Sequence, residues 1–380
     1  MPIKLPMPTD FFQCPVLTSD ELKTLQDHAI KSAMAVVKKT FMANASGVEW
    51  TVRSAEPDIT IYKGAEVSAN HGTYLYMSVM EVAATLDEVI ELFQTQTMEQ
   101  DKAFSARFGK QVLDTVKLYS ILEPTPDTPS EMTGIFWRLY KSVLPAVVAK
   151  RDACLLQSHH AFNLNGRRGW VASSKSVNLS CCPELEHLGG FVRMINYGSG
   201  HVFLESETRP GYLEIRYVAH TNFRGASYDY MSDAVLKRRA LISDRNMTKR
   251  CRNIQDIDMF LRENRLNRGH ILEPNQLVPK SSRRHCYLCT VRFGLTNPKS
   301  NCVKCGQVVC SKCNRNWNIT CADGKLRSMK ACVRCSLGQM DVQRKSFYTS
   351  RPWSPTHLSE DATSMCSDEA RELEMNRRSK

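Results

Sequence analysis

Four Cys-x-x-Cys pairs lie close together in the C-terminal third of this 380-residue chain. The pairs are Cys286/Cys289, Cys302/Cys305, Cys310/Cys313 and Cys332/Cys335. Two cysteines separated by two residues can direct both sulfurs at one tetrahedral ion, so eight of them supply two four-cysteine sites. A site with four protein ligands is closed, as structural zinc sites are. The spacing therefore predicts two structural zinc ions.

The gaps between the pairs predict how the eight cysteines are shared. Only four residues separate Cys305 from Cys310, which is too few for both to bind one ion comfortably. This favours a cross-brace, in which the first and third pairs hold one ion and the second and fourth pairs hold the other. The alternative is a disulfide framework. It is disfavoured because prolines interrupt Met1–Phe12, where a secretory signal would need an apolar run.

The same N-terminal stretch predicts an intracellular, reducing compartment. The six cysteines outside Cys286–Cys335 are then expected to be free thiols. Cys181 and Cys182 form a vicinal pair with no acid or base motif near them, so we expect a structural role. No apolar run approaches the roughly 20 residues that span a bilayer.

The cysteine-rich segment resembles a FYVE-type zinc finger. The resemblance rests on the spacing of the pairs, on Cys305-Gly306 followed by Cys310, and on Phe293 four residues after Cys289. FYVE fingers generally recognise phosphatidylinositol 3-phosphate on endosomal membranes. The resemblance therefore implies a cytoplasmic, peripheral membrane protein, with the endosome as the expected membrane.

Three signatures of that family are altered in this chain. No Trp-Asp sequence precedes the first pair between Asn275 and Arg284. The family's Arg-Arg-His-His-Cys-Arg run is replaced by Pro298–Val303, and its Arg-Val-Cys run by Lys330–Cys332. Only Lys299 and Lys330 keep the charge. The run Arg283–Cys286 imitates the first of these motifs, but in that register no glycine and no third pair would follow.

The composition of the finger predicts attraction to an anionic surface. Residues 285–335 contain nine basic side chains and one acidic side chain, Asp323. Eight thiolates and two zinc ions reduce the net charge of this segment to about +4. The loop between Cys289 and Cys302 places apolar residues among cations. We expect these membrane-contact residues: Arg292, Phe293, Leu295, Lys299 and Lys330.

The N-terminal part predicts an α+β domain over residues 15–266. A capping box at Thr18–Glu21 begins a first helix, and three strand-like runs and a short helix follow. The six further strand-like runs are Val112–Leu122, Ile135–Val143, Arg151–Leu164, Trp170–Leu179, Phe191–Glu205 and Tyr212–His220. A long helix from near Ser227 closes the domain, with Ile254, Ile257 and Leu261 as one apolar group. This order resembles the START-like helix-grip fold, a curved antiparallel sheet with a long C-terminal helix. The residues that support the resemblance are Ile59, Tyr62, Lys63, Gly64, Arg151, Asp152 and the run Phe191–Phe203.

The START-like resemblance implies an apolar cavity that holds one lipid or sterol molecule, although relatives with a filled cavity exist. Residues 267–284 contain two prolines and predict a linker to the finger at 285–336. Residues 337–380 are rich in Ser, Thr, Pro and mixed charge, and they predict a disordered tail.

Catalytic motifs are scarce, so we expect no enzyme. His159 and His160 are adjacent in a predicted strand, and their side chains therefore point to opposite faces. One is expected to be packed and the other exposed. No phosphate-binding glycine loop or nucleophile elbow appears.

Three function classes follow from these patterns. The first is a lipid-binding peripheral membrane protein whose finger docks on anionic membrane while its START-like domain holds a lipid. The second is a zinc-finger adaptor that binds protein partners and has a filled START-like domain. Nucleic-acid binding is less well supported, because Trp317 is the only tryptophan in the finger and stacking residues are scarce.

Overall fold

The computed structural model describes residues 3–8, 10–41, 47–66, 72–94, 111–142, 149–224, 233–321 and 325–338. Side chains of residues 233–240 are not described. The predicted disorder of the tail, from residue 339 onward, lies outside these residues, as does the predicted helix start near Ser227. The predicted domain boundaries stay predictions.

The first helix, α1 (Ser19–Lys39), begins where the sequence predicted. The Thr18 hydroxyl accepts the Glu21 N–H, and the Glu21 carboxylate accepts the Thr18 N–H, so the capping box is complete. The apolar stripe of α1 buries Ala29, Ala33 and Val36 against the sheet. The helix therefore lies along one face of the strands that follow.

Eleven strands of the described residues form one large sheet, which is antiparallel except where β8 pairs with β6. Its main order is β1-β2-β3-β11-β10-β7-β6-β5-β4. The bounds are β1 (Val48–Glu56), β2 (Ile59–Glu66), β3 (Thr73–Ala83), β4 (Val112–Leu122), β5 (Met132–Tyr140), β6 (Arg151–Leu164), β7 (Arg167–Ser176), β8 (Val192–Arg193), β9 (Ile195–Asn196), β10 (Ser199–Glu205) and β11 (Tyr212–Asn222).

Helices cover both faces of the sheet. Helix α1 and residues near the N-terminus lie on one face, where Trp137, Cys154 and Leu156 form an apolar cluster with Phe12. Helices α2 (Leu86–Phe93), α4 (Asp233–Arg252) and α5 (Gln255–Arg268) lie on the other face. A short helix, α3 (Glu186–Gly189), precedes β8. The sequence therefore predicted the α+β class and the helix-grip order of elements correctly.

The sequence prediction for His159 and His160 was half wrong. Their side chains do lie on opposite faces, but both residues are buried, because each face of the sheet carries a helix layer. Burial lowers the pKa of His159 to about 3 and that of His160 to about 4, so both are neutral at pH 7. His159 packs on Trp170, with 5.1 Å between the ring centroids.

The long helix predicted at the end of the domain is two helices in the structure. A two-residue turn at Asn253–Ile254 separates α4 from α5. Ile254, Ile257 and Leu261 are nonetheless buried in one cluster, as the apolar spacing predicted. The predicted strand over Phe191–Glu205 is likewise divided, into β8, β9 and β10.

The finger contains two short antiparallel strand pairs that the sequence did not predict. They are β12 (Lys299–Asn301) with β13 (Val308–Cys310), and β14 (Asn314–Thr320) with β15 (Leu326–Cys332). A short helix, α6 (Val333–Leu337), follows β15 directly. The finger's apolar cluster includes Leu266 of α5, so the finger packs against the closing helix of the large domain.

Candidate metal centre and membrane surface

The structure brings the eight cysteines of the four pairs together in two groups. Cys286, Cys289, Cys310 and Cys313 form the first, and Cys302, Cys305, Cys332 and Cys335 form the second. Within each group the sulfur atoms lie within 4.8 Å of one another. The first and third pairs therefore share one group, and the second and fourth pairs share the other. The predicted cross-brace is therefore confirmed.

The spacing of the sulfur atoms fits zinc. The Cys289 and Cys310 sulfurs are 3.7 Å apart, and the Cys305 and Cys332 sulfurs are 3.9 Å apart. A tetrahedron with zinc–sulfur bonds of about 2.3 Å has edges of about 3.8 Å. Four thiolates with no open position are the donor set of a structural zinc site, so the two groups are positioned to hold two zinc ions.

Backbone N–H groups around the sulfurs support thiolate ligands. The Cys310 N–H donates to the Cys286 sulfur at 3.3 Å, and the Cys332 N–H donates to the Cys302 sulfur at 3.2 Å. Burial raises the pKa of Cys286, but backbone hydrogen bonds outweigh burial and lower it to about 6. The donors thus favour the charged form that a metal requires.

Gly306 allows the second pair to turn tightly. Its φ is +70°, in the left-handed region that favours glycine. Its N–H donates to the Cys302 carbonyl at 2.8 Å, and a Cβ at this position would lie 3.1 Å from the Gln276 carbonyl oxygen. The glycine after Cys305 therefore lets residues 272–278 pack on this turn.

The loop between Cys289 and Cys302 ends in an exposed apolar tip. Leu295 is fully exposed at 104%, and Val291 is exposed at 54%. A tight turn closed by reciprocal hydrogen bonds between Gly294 and Asn297 presents Leu295. Phe293 is half-buried and packs against the finger's apolar cluster. Leu295 is thus the projecting residue, and Phe293 supports the base of the loop.

Cations flank this tip. Arg292 is exposed and pairs with His285 in an antiparallel bridge, and the Phe293 N–H donates to the Arg284 carbonyl at 3.1 Å. The Arg283 guanidinium lies 4.9 Å from the Tyr287 ring centroid. The run Arg283–His285 therefore runs beside the tip. From the sequence alone this run was excluded as a lipid-binding motif, because no glycine and no third pair follow it at the family's spacing. Its position directly before the first pair was the signal that could have placed it near the tip.

Lys299 and Lys330 lie at different places on the finger. The Lys299 ammonium donates to the Lys280 carbonyl at 2.8 Å and lies 5.6 Å from the Phe293 ring centroid, so it is tied to the base of the loop. Lys330 is exposed on β15, and its carbonyl accepts the Val303 N–H. Of the five predicted contact residues, the structure places Arg292 and Leu295 at the tip.

Apolar side chains fill much of the space between the sheet and helices α2, α4 and α5. Trp170, Phe203, Tyr217 and Phe93 pack there in one cluster. A small cleft beside this cluster is lined in part by Gln94, Glu131 and His159. Burial raises the pKa of Glu131. None of the helices in the described residues is long and apolar enough to cross a bilayer.

Comparison with known proteins identifies the finger. Residues 276–339 match the family model of the FYVE zinc finger. The resemblance found in the sequence is therefore confirmed for this segment, which is a minor part of the chain. No curated protein matches the chain.

Solved structures resemble the chain at low similarity. Human StAR-related lipid transfer protein 5 gives a TM-score of 0.42 at 16% identity, covering 61% of this chain and 99% of that protein. Human STARD10 gives 0.38 at 14%, covering 63% and 80%, and the human StarD13 lipid transfer and protein localization domain gives 0.34 at 16%, covering 58% and 91%. The arrangement of sheet and helices described above, rather than this likeness, shows the fold.

Proposed function

We propose that this chain is a peripheral membrane protein that binds lipid without catalysing a reaction. Its zinc finger docks on anionic membrane, and its START-like domain holds one lipid molecule. The protein works in the cytoplasm and at an endosomal surface. The proposal is carried by one observation: a fully exposed leucine at the tip of a loop that zinc ligands anchor at both ends.

The tip suits the interface between lipid headgroups and acyl chains. Leu295 and Val291 offer apolar surface, Arg292 and Arg284 add exposed positive charge beside it, and Lys299 lies at the base of the loop. An exposed apolar side chain gains by leaving water, and each basic residue near an anionic surface adds roughly 1 kcal/mol. Because zinc fixes both ends of the loop, little loop entropy is lost on docking.

Selectivity for one phosphoinositide should be weak. The residues that replace the family's basic run, Pro298–Val303, contain one cation, Lys299, and its ammonium is engaged by the Lys280 carbonyl. General attraction to negative charge remains. We therefore propose binding that follows total anionic charge, with only a modest preference for phosphatidylinositol 3-phosphate.

Liposome binding by the full chain tests the finger's role. Leu295→Ala with Arg292→Ala should weaken binding to all anionic liposomes alike. The loss is about 2 kcal/mol for the leucine and about 1 kcal/mol for the arginine, or on the order of a hundredfold in affinity. Added salt should weaken wild-type binding strongly, because exposed charges are screened.

A matched control uses the hairpin between β14 and β15, where Leu326 is 66% exposed next to Arg327. Leu326→Ala with Arg327→Ala also removes one exposed leucine and one arginine, but from this hairpin rather than from the tip. It should change liposome binding little. Equal losses from both double variants would contradict a docking role specific to the tip at Leu295. Selective, salt-resistant binding to phosphatidylinositol 3-phosphate would show instead that Arg283, Arg284 and His285 replace the missing motif.

The adaptor remains the second candidate, and the packed cluster between sheet and helices favours it. In that case the START-like domain is filled by its own side chains, and the finger binds protein partners. Solvent extraction of the purified full chain followed by mass spectrometry separates the two. A lipid at one molecule per chain supports the proposed cavity, and a stable chain that neither carries nor takes up lipid supports the adaptor.

A further inference from the structure

The segment that precedes α1 crosses the face of the sheet that α1 covers. We call residues 3–8 and 10–16 the strap. Met7 and Phe12 of the strap are buried, and the Phe12 and Trp137 rings lie 5.5 Å apart. The Met7 N–H donates to the Asp114 carboxylate. The strap is therefore a packed part of the fold, although it contributes no strand.

Two cysteines distant in sequence meet at the end of the strap. The Cys14 thiol donates to the Cys181 sulfur at 2.8 Å, across a sequence separation of 167 residues. A covalent S–S bond is about 2.0 Å long, so an approach of about 0.8 Å would form one. Both residues are half-buried rather than enclosed, which leaves the pair within reach of a small reagent.

The vicinal cysteines Cys181 and Cys182 have different surroundings. Cys182 is buried, and the Arg193 guanidinium donates to its sulfur at 3.8 Å. Cys181 instead faces Cys14 and the Tyr119 hydroxyl, which lies 3.8 Å from its sulfur. The same hydroxyl donates to the Pro15 carbonyl at 2.8 Å and so holds the strap beside Cys181.

We propose that Cys14 and Cys181 form a redox site that closes as a disulfide on reaction with a small-molecule disulfide such as oxidised glutathione. The Cys181 thiolate attacks one sulfur of the reagent, the reagent's S–S bond breaks, and one thiolate leaves and takes up a proton. Cys14 then loses its proton and attacks the Cys181 sulfur, which expels the second thiol. Two protein thiols are oxidised by two electrons, and the reagent is reduced to two thiols.

The hydrogen bond sets the order of attack. Because the Cys14 thiol donates its proton to the Cys181 sulfur, we assign the first attack to Cys181. Burial and the hydrogen bond to Cys181 raise the pKa of Cys14 to about 12. Cys14 therefore acts second, as the resolving thiol. In a reducing compartment such a bond is transient, which is typical of a redox sensor rather than a structural disulfide.

Closing the bond would fix the strap to the turn at Cys181. The cross-link spans most of the large domain's sequence, so it restricts the unfolded chain strongly. We expect the oxidised chain to melt about 5–10 °C higher than the reduced chain. The same bond should slow hydrogen exchange at the backbone amides of the strap. Once the strap is cross-linked, it can leave the sheet only when the whole domain opens.

The test is peptide mapping of the zinc-loaded full chain after exposure to a graded ratio of oxidised to reduced glutathione. Trypsin releases Cys14 in residues 5–23 and Cys181 in residues 176–193. A cross-link between these peptides that a thiol reductant reverses, with zinc content unchanged, supports the proposal. Because peptide 176–193 also contains Cys182, Cys182→Ala must retain the cross-link, whereas Cys14→Ser and Cys181→Ser must abolish it.

Three results would overturn the proposal. One is a bond between Cys181 and Cys182 in place of the cross-link. Another is a cross-link that is lost in Cys182→Ala while the circular dichroism spectrum of that variant is unchanged. The third is glutathione retained on Cys181 without resolution by Cys14. Serine preserves the size of cysteine, so the two serine variants should fold and keep their zinc.

Discussion

At the scale of single residues, Asp244 fixes the closing helix α4 to three strands. Its carboxylate accepts hydrogen bonds from Arg53 of β1 at 2.7 and 2.9 Å and from Tyr76 of β3, and it pairs with Lys63 of β2 at 3.4 Å. Burial raises the pKa of Asp244, but the hydrogen bonds and the charges of Arg53 and Lys63 outweigh it, and the pKa is lowered. The ionised form is therefore the one the fold stabilises.

Asp244→Asn should lower the free energy of unfolding by about 2 kcal/mol at pH 7, because hydrogen bonds to a charged group are lost. Because the pKa of Asp244 is lowered by folding, its carboxylate stabilises the fold at pH values above the ordinary pKa of 3.8. This contribution is lost as the pH falls through the lower pKa of the folded state. The difference between wild type and variant, measured by urea unfolding, should therefore narrow below about pH 4.

The control is Glu49→Gln, which removes an exposed carboxylate from β1. It should leave the unfolding free energy almost unchanged, since exposed charges contribute little. A difference between wild type and Asp244→Asn that is the same at pH 7 and at pH 3 would contradict the role of the ionised carboxylate.

At the scale of elements, α5 belongs to both the large domain and the finger. Arg265 forms a bidentate pair with Glu88 of α2 at 2.7 and 2.8 Å. Two residues to either side, and so on the opposite face of the helix, Glu263 accepts the Asn318 N–H at 2.9 Å and Asn267 accepts the Thr320 N–H at 2.8 Å. Two side chains of one helix thus satisfy alternate N–H groups on the free edge of β14.

Glu263→Ala with Asn267→Ala should release the finger from α5 without removing a zinc ligand. The amides of Asn318 and Thr320 lose their acceptors, so their hydrogen exchange should speed up at least tenfold, while zinc content stays at two ions. Hydrogen exchange resolved by NMR measures this. Glu263→Gln keeps an acceptor oxygen and should retain most of the protection at Asn318. Unchanged exchange in the double variant would show that other contacts hold β14.

At the scale of the whole molecule, α5 links zinc binding to the stability of the large domain. Leu266 of α5 packs with Cys302 and Trp317 in the finger's cluster, and Arg262 donates to Ser336 of α6 at 3.4 Å. In a finger of this kind the free energy of zinc binding drives folding, so removing zinc should unfold the finger. The side of α5 that packs against the finger would then be exposed to solvent.

Cys302→Ser should reduce bound zinc from two ions to one and lower the thermal midpoint of the whole chain. The reason is that an incomplete second site no longer holds α6 against α5. Zinc content by mass spectrometry and a thermal melt measure both effects. The control is Cys321→Ser, because Cys321 is half-buried near Met329 and belongs to neither group. Wild-type chain with fewer than two zinc ions would contradict the two-site assignment.

The sequence alone determined the features that depend on near neighbours in the chain. The four-residue gap after Cys305 indicated how the cysteines are shared, because a link of that length is too short for the pairs on either side of it to bind one ion comfortably. The Thr18–Glu21 capping box determined where α1 begins. Run length and β-propensity, with only partial alternation of apolar residues, located most strands of the sheet, and Val112–Leu122 and Arg151–Leu164 have their predicted bounds.

The tertiary structure decided what depends on contacts between distant residues. His160 is buried because it lies between Ser158 and Phe162 on the face that α1 covers, and the local pattern gave no sign of that cover. The finger rests on α5 through Glu263, a residue whose acidic character gave no signal of burial. Cys14 meets Cys181 because the strap crosses the sheet to the turn after β7. Such contacts follow from how strands are ordered and layers packed, and no local period in the sequence encodes that order.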